Sequence, residues 1–158
     1  MKHWIVATYK INEIKKVETN LLNQNFDYYL PRIIVEKTNS QIKEEILFPG
    51  YIFINTSVEN CKPISNTIGI KDIIKFGNFI PFLTDDQIKS IEVIVRLSES
   101  NPKVEKIEIG QEGIIASGPL KGNMVKVCSL PSRKRVEVLM HLLGSIRRVK
   151  ISQKSLKF

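Results

Sequence analysis

At 158 residues, with 42% hydrophobic and 25% charged side chains, the chain has the make-up of one ordinary domain or two small ones and is not low-complexity or disordered in bulk. No apolar run approaches a membrane span and the first residues lack the apolar core of a secretory signal, so a cytoplasmic protein is expected. The two cysteines, Cys61 and Cys128, lie far apart with no nearby histidine, which suggests neither a disulfide framework nor a zinc site; no metal or cofactor is expected.

The net charge of +8 is unevenly placed: residues 1–98 hold 12 basic and 11 acidic side chains, residues 99–158 hold 12 and 5. A basic partner surface, if the excess is more than solubilising, is therefore C-terminal.

Residues 4–9 are β-prone. Residues 12–25 then place Ile14, Val17, Leu21 and Leu22 at helical spacing with Lys15, Lys16 and Glu18 outside, which predicts an amphipathic helix with Asn12 as its N-cap. A strand over 26–30 stops at Pro31, which has no amide to give to a ladder. Residues 33–37 and 42–46, separated by a polar stretch, predict a hairpin arm. Next, Leu47-Phe48-Pro49-Gly50-Tyr51-Ile52-Phe53-Ile54 is a Pro-Gly turn running into an aromatic and β-branched strand, the densest aromatic cluster of the chain. A short helix interrupted early by Pro63 is expected within 58–68, a strand over 73–76 closed by Gly77-Asn78, and an apolar connector over 79–83. Thr84 is expected to cap a further helix, with Gln87 at the capping-box position and Ile88, Ile91, either Ile94 or Val95, and Leu97 as candidates for its inner face.

This order predicts a ferredoxin-like α+β fold, with helices on one face of a mainly antiparallel sheet and the other face partly free. Around residues 98–103 the periodicity is lost and breaking residues appear, as in a linker. From 107 onward, short strands over 113–116, 124–127, 135–140 and 147–151 with Gly and Pro turns between them predict a small SH3-like antiparallel β-barrel. The expected division is a domain over 1–98, a linker over 99–106 and a second domain over 107–158. Leu139, Leu142, Leu143, Ile146 and Val149 also fall at near-helical spacing. Strand is the reading taken there, because Gly144 inside a helix costs roughly 1 kcal/mol relative to Ala.

Two motifs in this order resemble one family. Trp4, the stretch over 47–54 and Ile73-Ile74-Lys75-Phe76-Gly77 resemble the N-terminal domain of the NusG/RfaH family of transcription elongation and antitermination factors. The stretch over 110–122, with Gly144 and Arg148-Val149-Lys150-Ile151, resembles that family's KOW domain. Length and the Lys75-Phe76-Gly77 detail are closer to the specialised paralogues than to housekeeping NusG.

The resemblance implies a monomeric, non-enzymatic factor. Its N-terminal domain would bind the β′ clamp helices of RNA polymerase, reach toward the β gate loop and touch the non-template DNA strand. Its KOW domain would contact Rho or a small-subunit ribosomal protein. Carried over by position, Tyr9, Phe48, Pro49, Tyr51 and Phe53 are the polymerase-binding set. Lys10, Lys16, Asn20 and Asn23 fall where specialised members touch DNA, and Gly118, Pro119, Lys121 and Gly122 form the KOW turn. A helical hairpin of the C-terminal domain over the apolar face until a signal releases it, as in RfaH, is the further possibility that the resemblance raises; here Gly144 and the Gly118-Pro119 turn favour the barrel.

Strand alternation puts Tyr51 and Phe53 on one face and Ile52 and Ile54 on the other, and the resemblance favours the aromatics outside. Trp4 and Phe76 read as packing. Arg133, Lys134 and Arg135, with Arg147 and Arg148, are candidates for nucleic-acid contact or a solvated loop and strand edge. An RNA-binding or ribosome-associated KOW module is the alternative function. No catalytic constellation appears in the sequence.

Overall fold

The computed structural model describes residues 1–36, 41–100 and 130–155. The elements are β1 (His3–Tyr9), α1 (Ile14–Asn23), β2 (Asp27–Tyr29), β3 (Arg32–Glu36), β4 (Ile42–Ile46), β5 (Tyr51–Thr56), α2 (Cys61–Ser65), β6 (Ile70–Ile73), β7 (Phe82–Leu83), α3 (Asp85–Ser100) and α4 (Ser132–Ser155). They form an α+β chain grouped into two compact units.

The first unit takes Met1–Leu30, Pro49–Thr84 and the last turns of α4 from Ile146. Its sheet is antiparallel with strand order β2-β5-β1-β6, and β7 pairs with the first half of β1. β1 and β5 lie at the centre because they carry the longest unbroken apolar runs, and Ile5, Val6, Ala7, Ile52, Phe53 and Ile54 are all buried. A 3-10 turn, Ile11–Glu13, precedes α1, so Asn12 lies inside a turn and is not the helix cap. Val17 and Leu21 of α1 and Ile64 of α2 are buried with the sheet residues. Pro63 sits in the first turn of α2, where a missing amide costs nothing.

Gly69 enters β6 at φ +95, and a Cβ there would lie 2.5 Å from Val17 Cγ2. The glycine therefore lets the chain pass close beneath α1 in a conformation other residues resist. β6 starts three residues before the expected strand and ends at Ile73; Phe76 and Phe79 instead form an isolated bridge around Gly77-Asn78. The expected connector contains β7, whose Phe82 and Leu83 pair with Ile5 and Trp4.

The second unit takes Pro31–Phe48 and Asp85–Ser145. The expected arm is present as the β3–β4 hairpin, with Ile34 opposite Glu44. Helix α3 packs along β3, burying Ile88, Ile91 and Ile94. The Ile34 N–H donates to Ser98 Oγ at 3.1 Å, and that hydroxyl donates to Val95 O at 2.6 Å. The expected linker therefore starts too early: Glu99 and Ser100 are still helical. Nor does the described chain group in simple order, since 31–48 cluster with α3 and not with the first sheet.

The strands expected over 135–140 and 147–151 are replaced by one 24-residue helix, α4. Leu139, Leu142 and Leu143, at three-and-four spacing, are all buried. Burying three leucines at roughly 1.5–3 kcal/mol each outweighs the roughly 1 kcal/mol cost of Gly144. The KOW turn of Gly118, Pro119, Lys121 and Gly122, the strands over 113–116 and 124–127, and Cys128 lie outside the described residues.

Candidate functional site

In the first unit, register decides which aromatics a partner meets. Phe53 stands opposite Val6 of β1 and Tyr29 of β2, so cross-strand neighbours flank it on both sides. Its ring lies 6.4 Å from that of Tyr29, tilted by 31°, and the side chain is 0% exposed. Tyr51 shares that face but opens the strand, opposite Thr8 and beyond the reach of β2, and is only half-buried. The alternation is as expected. The aromatics are nevertheless not both outside, because a central position closes over Phe53 while a strand end leaves Tyr51 open.

Pro49 is also half-buried, whereas Tyr9 is 2% exposed and Phe48, in the second unit, is 0% exposed. Of the five residues in the expected polymerase-binding set, Tyr51 and Pro49 present surface.

Beside Tyr51 is a cleft of about 390 Å³, lined by Tyr9, Lys10, Ile11, Gly50, Tyr51 and Lys71 among others. Two backbone hydrogen bonds shape it: Tyr9 N–H donates to Gly50 O at 3.1 Å and Lys10 N–H to Gly69 O at 2.9 Å. Gly50 sits at φ +91, which permits the turn from Pro49 into β5. Lys10 and Lys71 are exposed, so the cleft joins an aromatic edge, an exposed Ile11 and two cations. Lys71 escaped sequence reasoning; its place beside Tyr51 follows only from the antiparallel β1–β6 pairing, which has a register shift between Thr8 and Tyr9.

The remaining candidates for DNA contact lie along α1. Lys16 and Asn23 are exposed and Asn20 is half-buried. Lys16 Nζ lies 4.0 Å from Oε1 of the half-buried Glu13, a pair that offsets part of the positive potential.

The basic triplet in the second unit divides. Arg133 and Lys134 are exposed, with Lys134 Nζ 3.3 Å from Glu137 Oε2. Arg135 is 2% exposed and does not face solvent. Its Nε donates to Leu47 O at 2.7 Å, Nη1 to Leu130 O at 2.8 Å, and Nη2 to Glu45 Oε2 and Ile46 O, both at 3.3 Å. The guanidinium is directed at the end of β4, so the expectation of nucleic-acid contact is corrected for Arg135 in this conformation. A planar fork of donors suits three carbonyls and a carboxylate arranged around it, and burial makes those partners obligatory.

The His3 ring stacks on Phe82 at 4.1 Å. Burial pushes the Cys61 thiol up, against the opposing pull of Lys75, which keeps it from acting as a ready thiolate. Among the described residues no three His, Cys, Asp or Glu side chains are grouped to hold a metal ion. No helix among them is long and apolar enough to cross a membrane.

Residues 2–92 match the family model described as "Transcription termination factor nusG". The chain is similar to the solved structure titled "Domain interaction in Thermotoga maritima NusG", with 17% sequence identity and a TM-score of 0.40, over 58% of this chain and 55% of that one. It thus spans about half the length of that Thermotoga maritima structure. No curated protein matches the chain.

Proposed function

The chain belongs to the NusG family, and from that premise we propose that it is a non-enzymatic transcription elongation factor that binds RNA polymerase and promotes processive elongation or antitermination, acting on particular operons as specialised members do. The observation that carries the reading is the family match over residues 2–92, a stretch that includes the half-buried Tyr51 and the cleft beside it. An aromatic edge with a ready pocket is the kind of anchor on which a helical partner gains affinity, by burial of apolar area and not by charge. The β′ clamp helices are the proposed partner there. The β gate loop and the non-template DNA strand are further contacts, the latter through Lys10, Lys16, Asn20 and Asn23.

For residues 107–158 the reading retains the KOW domain, joined through a linker that follows α3 and contacting Rho or a small-subunit ribosomal protein. The helical form of 132–155 and the barrel are then alternative states of the same residues, the barrel being the partner-binding one. In single-round elongation assays on core RNA polymerase, adding the full chain should shorten pauses or raise read-through of terminators; unchanged pausing and read-through would overturn the proposal.

A second reading, an RNA-binding or ribosome-associated protein, is favoured by the exposure of Arg133 and Lys134 within a half that carries 12 basic against 5 acidic residues. Tight, salt-sensitive binding of the full chain to RNA with no affinity for polymerase would select it.

A further inference from the structure

We draw no further inference here: the strongest candidate, the cleft at the end of β1 between Lys10, Tyr51 and Lys71, belongs to the site already described.

Discussion

Arg135 Nε donates to the carbonyl of Leu47, 88 residues earlier in the chain, at 2.7 Å, which ties the first turn of α4 to the residue that follows β4. Two further carbonyls and Glu45 complete the set around a side chain that is 2% exposed. Arg135→Ala would remove four hydrogen bonds made from a buried position, at a cost of roughly 3 kcal/mol. Arg135→Lys should recover little of it, because one ammonium cannot address acceptors spread across a fork. Urea unfolding of the two variants measures this. Equal stability of Arg135→Ala and the parent would contradict the clasp.

Gly144 offers the opposite experiment. It lies within α4, and an added Cβ would meet nothing within 4 Å. Gly144→Ala should therefore stabilise the helix by up to about 1 kcal/mol. Far-ultraviolet circular dichroism should register a gain or no loss of helix, with a higher unfolding midpoint. A fall in helix content would indicate that these residues prefer strand in the free chain.

Gly69 should tolerate nothing. Alanine there combines a φ of +95 with a Cβ only 2.5 Å from Val17 Cγ2. The expected loss is about 2 kcal/mol or more. Gly77, at φ +64 with no atom near its missing Cβ, carries the backbone strain alone and should lose less on the same change. Thermal unfolding of the pair separates crowding from backbone strain, and equal losses would contradict the close approach at Gly69.

Phe53 and Tyr51 differ in what their removal reports. Phe53 is fully buried between Val6 and Tyr29, so Phe53→Ala should cost roughly 3–5 kcal/mol of stability and obscure any effect on binding. Tyr51, half-buried at the strand end, should lose less when truncated. Denaturant midpoints test the difference. If both variants unfold together, the distinction between a closed centre and an open edge fails.

Much of the first unit was legible in the sequence because its signals are local. The apolar, β-branched runs of β1 and β5 and the three-and-four spacing of Val17 and Leu21 name their elements without reference to the rest of the chain, as does the acidic first turn of α3 in the second unit. Exposure was not legible in the same way. Phe53 and Tyr51 have the same period and nearly the same chemistry, and only the reach of β2 along β5 separates them.

Helix α4 was misread for a related reason. Leu139, Leu142 and Leu143 signal a helix locally, yet Gly144 and the strand-like turns before it argued otherwise. Burial of the leucines outweighed the local glycine penalty. Likewise Arg135 is indistinguishable from Arg133 and Lys134 as a letter, and only a contact 88 residues distant removes it from the surface.

Affinity of the full chain for core RNA polymerase, measured beside that of Tyr51→Ala at low and moderate salt, tests the central claim most directly. The parent should bind at both salts, and Tyr51→Ala should bind at least about 30-fold more weakly, the loss expected for an aromatic anchor worth 2 kcal/mol or more, with its unfolding midpoint nearly unchanged. A parent chain that does not bind polymerase, or a Tyr51→Ala variant that binds as tightly as the parent, would contradict the account.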